Sequence, residues 1–144
     1  GGTTSEGDTS SLPATRAVSE ALERIREEIV NAGRIGLSLS RSGFQLARYS
    51  GGARYAKHRD VSAKCPDRQL TCIYYCNPGW EDSHGGELRL HVLVGLPVDV
   101  APLADRLILF LPDIQHEVLS AHQERFAFSG WMYGPEPILF PPLP

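Results

Sequence analysis

Arg106-Leu107-Ile108-Leu109-Phe110-Leu111-Pro112-Asp113, with His116-Glu117-Val118-Leu119 close behind, is the stretch whose reading decides the fold. Residues 106–111 are almost continuously apolar over the length of one short strand, which predicts a strand covered on both faces. Pro112-Asp113 marks a turn and Glu117-Val118-Leu119 resumes the β pattern, so His116 is expected at the mouth of a barrel. Downstream, Arg125 to Trp131 reads as the partner of 117–119, the last strand pair. Upstream, Gly85-Gly86 leads into an alternating run from Glu87 to Val92. Leu70-Thr71-Cys72-Ile73-Tyr74-Tyr75 is β-branched and aromatic and stops at Asn77-Pro78-Gly79. Phe44 to Tyr49 alternates until Ser50-Gly51-Gly52 breaks it. Short strands at such regular spacing, filling the chain after Gly36, predict a mainly β (α+β) sandwich or jelly-roll barrel.

A single helix precedes them. Val18, Leu22, Ile25 and Ile29 recur at spacings of three and four, with Glu and Arg on the other face. The helix is expected to begin near Pro13 to Thr15 and to end at Asn31-Ala32-Gly33, where Gly33 suits a left-handed cap. Residues 1–12 are small and polar and read as a flexible leader, 13–133 as one domain, and 134–144 as a proline-rich tail running extended along the surface. No internal repeat is present.

Composition narrows the function. A chain of 144 residues supports one hydrophobic core. A net charge of −3 with scattered basic residues argues against a nucleic-acid partner. No apolar run approaches the ~20 residues that a membrane helix needs, and no signal-peptide pattern is visible. The expectation is a cytoplasmic or nuclear protein without membrane contact. Cys65, Cys72 and Cys76 are odd in number and lack the spacing of a zinc site, so reduced thiols are expected.

Three elements carry chemistry. In a strand, His58 and Asp60 would point to one face ~7 Å apart and could converge on one ion, although such a triplet also arises by chance or as a surface pair. His116 changes the odds. Two imidazoles and one carboxylate on one face leave the opposite octahedral positions open, the donor set of non-haem Fe(II) enzymes that activate dioxygen. Arg125, nine residues beyond His116, would return by a hairpin to lie deeper in the barrel. A guanidinium buried in an apolar strand predicts an anion, because its fork grips a carboxylate with two hydrogen bonds. Outward snorkelling or a nearby Glu is the alternative.

His58-x-Asp60, Leu70 to Tyr75 with Asn77, Trp80, Gly85-Gly86-x-Leu88-Arg89, Asp105-Arg106-Leu107, His116-Glu117-Val118, and Arg125-x-Ala127 through Trp131 together resemble the prolyl hydroxylases. The likeness is to the branch that modifies hypoxia-inducible factor, over about residues 20–133. It implies a double-stranded β-helix (jelly-roll, cupin-like) core with one N-terminal supporting helix. It implies His58, Asp60 and His116 as Fe(II) ligands and Arg125 as the 2-oxoglutarate anchor, helped by Tyr75. Tyr49, Ile73, Leu88, Val118 and Trp131 would line the co-substrate pocket. The implied reaction consumes O2 and 2-oxoglutarate, releases succinate and CO2, and hydroxylates a prolyl residue of a protein or peptide, with ascorbate as reductant.

The sequence departs from that pattern where substrate is chosen. Ser50 replaces a usual proline, Val61 to Gln69 differs almost entirely from the substrate-covering loop, and the proline-rich tail stands in place of a C-terminal helix. The same chemistry on a non-prolyl target, or a non-catalytic metal-binding barrel, are the alternatives. His84, His91 and His122 read as solvated side chains, and Trp80 as a loop residue capping the core.

Overall fold

Leu22 at 2% exposure, flanked by Val18, Ile25 and Ile29, gives helix α1 (Pro13–Ala32) the apolar stripe that the spacing predicted. The stripe packs on Leu39, Leu70, Cys72, Phe128 and Met132, and Gly33 closes the helix at φ +60° with its amide donated to the Val30 carbonyl. The structure is a computed structural model describing residues 13–33, 38–92 and 95–135; the expected leader and all but the first two residues of the expected tail lie outside those residues. No helix among the described residues is long and apolar enough to cross a membrane.

Eight strands follow among the described residues: β1 (Arg41–Tyr49), β2 (Ala53–His58), β3 (Arg68–Tyr75), β4 (Leu88–His91), β5 (Val98–Val100), β6 (Leu107–Phe110), β7 (Gln115–Ala121) and β8 (Arg125–Tyr133). They form two antiparallel sheets, ordered β1-β8-β3-β6 and β2-β7-β4-β5. The chain changes sheet at almost every connection, which is the double-stranded β-helix that the resemblance implied. Ile73, Tyr75, Leu88, Leu90, Phe110, Val118 and Ala127 fill the space between the sheets. Helix α1 covers the outer face of the first sheet. All three cysteines are free, and burial pushes the Cys72 thiol up to about 12.

Two expectations fail. The run 106–111 is covered on both faces only over its first half, where Leu107 packs on the cluster under α1 and Ile108 on the core between the sheets. It supplies β6, an edge strand, whose Phe110 turns into the core while Leu109 and the following Leu111 are 37% and 38% exposed. Continuity of apolar residues cannot tell a central strand from an edge strand whose outer neighbour is missing. Nor do β7 and β8 form a pair: they lie in opposite sheets, β7 between β2 and β4, and β8 between β1 and β3. The turn at 122–124 is therefore a crossing between layers, and Arg125 lies opposite Tyr49 of β1. The short strand β5 also had no distinct signal in the sequence.

Gly130 marks the tightest approach in the first sheet. A methyl group there would overlap the Gly43 carbonyl oxygen and the Phe44 ring of the paired strand. Gly130→Ala is expected to lower unfolding free energy by about 3 kcal/mol, through overpacking against backbone, as read from urea denaturation; an unchanged midpoint would contradict the packing of β1 on β8.

Candidate active site

His58 and His116 are cross-strand neighbours on β2 and β7, with ring centroids 4.3 Å apart. Asp60 joins them by a route that the sequence did not suggest. It lies past the end of β2, in a bend fixed by two backbone hydrogen bonds: the Asp60 and Val61 amides both donate to the Pro112 carbonyl, at 2.9 and 3.3 Å. The pleat of one strand therefore does not align His58 with Asp60, as first expected; a turn swings the carboxylate under both rings. Its Oδ1 stands 3.3 Å from His58 Nε2 and its Oδ2 3.5 Å from His116 Nε2. All three ligand atoms fall within 4.8 Å of one another.

Each imidazole is held the same way. The Nδ1–H of His58 donates to the Ala56 carbonyl at 2.8 Å, and that of His116 donates to Ile114 at 2.9 Å. Both Nε2 atoms are thus left with free lone pairs aimed at the same point, the arrangement a metal requires. The Thr71 hydroxyl donates to Asp60 Oδ2 at 2.7 Å inside the protein. Burial alone would push the Asp60 carboxyl up, but His58, the nearby His116 and Thr71 outweigh it and hold it at about 2. Burial likewise disfavours a proton on His58, yet Asp60 and the Ala56 carbonyl leave its pKa above the ordinary value. In His116 burial wins and the pKa falls. The three groups form a charged, oxygen-and-nitrogen donor set with no fourth protein ligand among the described residues, fit for a divalent first-row metal with open positions.

A cavity of about 350 Å³ opens from this cluster between the sheets. Its walls include Tyr49, Ile73, Leu88, Val118 and Trp131, the five that the resemblance implied for a pocket. Tyr75 and Arg125 do not line the open space; they are buried beyond it, at 0% and 1% exposure. Arg125 Cζ lies 5.0 Å from the ring centres of both Tyr49 and Tyr75, and Arg125 Nε donates to the Gly86 carbonyl at 2.8 Å. One terminal nitrogen of Arg125 and the Tyr75 hydroxyl are buried with no hydrogen-bond partner. Leaving a cationic donor and a phenol unsatisfied is costly unless a ligand completes them.

Several participants escaped the sequence reading. Thr71 shares a strand face with Ile73 and Tyr75, so the period of two carried a signal that it faces the cavity. Arg68 carried none: its guanidinium stacks on the Trp131 ring at 3.6 Å and donates to the Asp60 backbone carbonyl at 2.8 Å. Of the remaining histidines, His122 is exposed as expected, whereas His91 pairs with Glu117 at 2.9 Å and His84 Nδ1 accepts the Glu81 amide. Trp80 is tied by its indole N–H to the Gly85 carbonyl and packs beside Gly86.

Residues 44–133, which hold every one of these groups, match the pattern of the 2OG-Fe(II) oxygenase superfamily. The chain belongs to that superfamily. Among this oxygenase's relatives is the hypoxia-inducible factor prolyl hydroxylase of Caenorhabditis elegans, 44% identical over 96 residues, or 63% of this chain and 13% of that protein. Mouse (Mus musculus) prolyl hydroxylase EGLN3 is 37% identical over 101 residues, covering 67% of this chain and 42% of its own length. The chain therefore spans less than half the length of these curated relatives. A prolyl-4-hydroxylase from Pseudomonas putida superposes with a TM-score of 0.79 at 32% identity, over 89% of this chain and 71% of that one. A Trichoplax adhaerens prolyl hydroxylase, solved with a hypoxia-inducible factor peptide fragment, gives 0.76 at 28% identity, over 88% and 59%.

The titration order predicts how the three candidate ligands would hold a divalent metal against protons. Asp60 stays ionised to about 2, and the depressed His116 is neutral before His58 is. As pH falls through the raised His58 value, Mn(II) affinity is expected to drop about tenfold per pH unit, one proton displacing one metal. Equilibrium dialysis between about pH 5.5 and 8 reads this slope; pH-independent affinity over that range would count against His58 as a ligand.

Proposed function

We propose that this chain is the oxygenase domain of a prolyl hydroxylase, with Fe(II) held by His58, Asp60 and His116 and 2-oxoglutarate anchored by Arg125 and Tyr75. The carrying observation is the pair of buried, unpartnered donors on Arg125 and Tyr75. A carboxylate is the group that satisfies both, accepting a guanidinium N–H and a phenol O–H at once. When bound, Fe(II) supplies the oxidising chemistry that couples O2-driven decarboxylation of 2-oxoglutarate to hydroxylation of a C–H bond. Prolyl residues of a protein or peptide are the target favoured by the named relatives, and ascorbate is the proposed reductant.

The protein's own contribution is holding and drying. Thr71 fixes one Asp60 oxygen, so the carboxylate presents itself in a single orientation. Backbone carbonyls fix both imidazole tautomers before any metal arrives. Ile73, Leu88 and Val118, each under 9% exposed, wall the space between metal ligands and Arg125 with hydrocarbon. Water is thereby kept from the reacting region, and Coulombic attraction between Arg125 and a carboxylate is strengthened by the low dielectric. Arg68 stacked on Trp131 borders the mouth, where the target side chain would enter.

Asp60→Ala is expected to abolish turnover and to weaken Fe(II) binding at least tenfold. Arg125→Lys should raise the KM for 2-oxoglutarate by about tenfold or more with a smaller change in kcat, since a point charge replaces a fork. The deciding experiment is anaerobic titration of the Fe(II) protein with 2-oxoglutarate, followed by exposure to O2 with proline-containing peptides. A visible charge-transfer band that Asp60→Ala loses, then a peptide heavier by one oxygen on proline, supports the assignment. Iron binding without that band removes the 2-oxoglutarate role, and oxidation at another residue removes the prolyl one.

A further inference from the structure

The apolar outer face of the first sheet extends past the helix that covers it. Between α1 and the edge strand β6 lies a second cavity of about 420 Å³, bounded by Ala17, Ala21 and Ile25 on one side and by Tyr74, Asp105 and Leu107 on the other. Its two polar side chains satisfy each other, the Tyr74 hydroxyl donating to Asp105 Oδ1 at 3.0 Å, and the rest of the lining is hydrocarbon. Leu107 pairs with Tyr74 and Leu109 with Cys72, and both partners belong to the cluster under α1. Leu109 therefore continues the same face beyond the cavity, 37% exposed, with Leu111 following at 38%. Single exposed leucines are ordinary; a row of them leading into a hydrocarbon groove marks a surface that something covers.

The described chain leaves the sheet at the foot of this strip. Tyr133, the last residue of β8, lies opposite Arg68, and the Gly134 amide donates to the Asp67 carbonyl at 3.0 Å. Gly134 is also pressed against Gln69, whose side chain a Cβ there would overlap. Strand β6 finishes toward the same end of β3, with Phe110 opposite Thr71. Beyond Pro135 the sequence reads Glu136-Pro137-Ile138-Leu139-Phe140-Pro141-Pro142-Leu143-Pro144, outside the described residues, with four large apolar side chains and one charge. The N-terminal stretch 1–12 offers Leu12 alone.

We propose that residues 138–144 fold back onto their own barrel, run along Leu111, Leu109 and Leu107, and seat an apolar side chain in the groove beside Ala17 and Ala21. The reach is sufficient. After a reversal at 135–137, seven residues in the polyproline conformation span about 22 Å, against about 20 Å along β3 from the level of Arg68 to that of Tyr74. Three of those seven are proline, which brings no N–H to be stranded on hydrocarbon and has φ already fixed, so ordering the segment costs less. A groove bordered by an aromatic ring, here that of Tyr74, is the surface on which such segments dock. The clasp would also cover β6, an edge strand otherwise open to pairing with another chain. It lies across the sheet from the candidate metal ligands and takes no part in the reaction.

The test uses the full chain, unaltered and as the double variant Leu139→Glu/Phe140→Glu, which puts charge where the groove takes hydrocarbon. Expected in the variant is amide hydrogen exchange at least about tenfold faster over residues 17–25 of α1 and over β6, with β2 and β7 unchanged. A labelled synthetic peptide of residues 135–144 is expected to bind the variant saturably. It should bind the unaltered chain at least about tenfold more weakly, because there the groove is already filled in cis. Adding Ala17→Arg, at an exposed position on the groove's rim, is expected to abolish peptide binding to the variant. Identical exchange in the two chains, or no peptide binding to the variant, overturns the proposal. Peptide binding untouched by Ala17→Arg removes the groove as the seat and overturns it equally. Sedimentation velocity distinguishes a second copy: an unaltered chain that dimerises, and a variant that does not, would give the groove to another molecule's tail and overturn the docking in cis.

Discussion

The Arg125 guanidinium, 1% exposed and in no ion pair among the described residues, is the constraint around which the interior is arranged. A cation in such a place loses its hydration, and burial accordingly lowers its pKa. Its surroundings offset part of that loss. The Gly86 carbonyl takes Nε, and the Tyr49 and Tyr75 rings stand on either hand. Gly86 itself adopts φ +71°, and a Cβ there would press on Arg125 Cδ at 3.0 Å and on Trp80 Cζ2 at 3.3 Å. The Gly85-Gly86 turn, first a mere strand boundary, is thus part of the arginine's seat. Asn77 secures the same end of β8: its amide donates to the Pro102 and Phe126 carbonyls, and its oxygen accepts the Phe126 amide at 2.6 Å.

At the other end of the cavity the charge is reversed. Asp60 is held ionised by two histidines and a threonine, in a position it reaches only because Pro112 captures the bend that follows β2. One carbonyl, that of Pro112, ties the second half of the chain to the carboxylate and so couples the β6–β7 turn to the site. The interior therefore has an anionic end and a cationic end separated by hydrocarbon, which is a poor arrangement for stability alone. Asp60 is compensated by its partners, but Arg125 loses its hydration and keeps one terminal nitrogen without a hydrogen-bond partner. A buried cation left in that state points to a ligand rather than to folding.

The superfamily match covers the sheets that hold the candidate site, whereas loops and edges are where a barrel meets its target. Strand β2 carries four exposed residues in a row. Shared barrels with divergent rims are how one reaction serves different targets, since rigid sheets fix the reacting groups while loops and edges meet the substrate.

Read alone, the sequence determined the helix, the β character of the remainder, the identity of the three candidate metal ligands and the unusual inward arginine. Those features are local: side-chain type and a period of two or 3.6 decide which face of an element is apolar. Only the tertiary structure decided what each face meets. Leu109, on the face of β6 turned away from the core, is left exposed; Arg125 lies buried beyond the cavity in the sheet opposite His116 and not on a hairpin beside it; and His58 and Asp60 converge through a bend rather than along one pleat. Arg68 on Trp131 likewise depends on which strand folding brings beside which. Each of these is a long-range pairing, and a strand's own pattern specifies that a face is buried without specifying its partner.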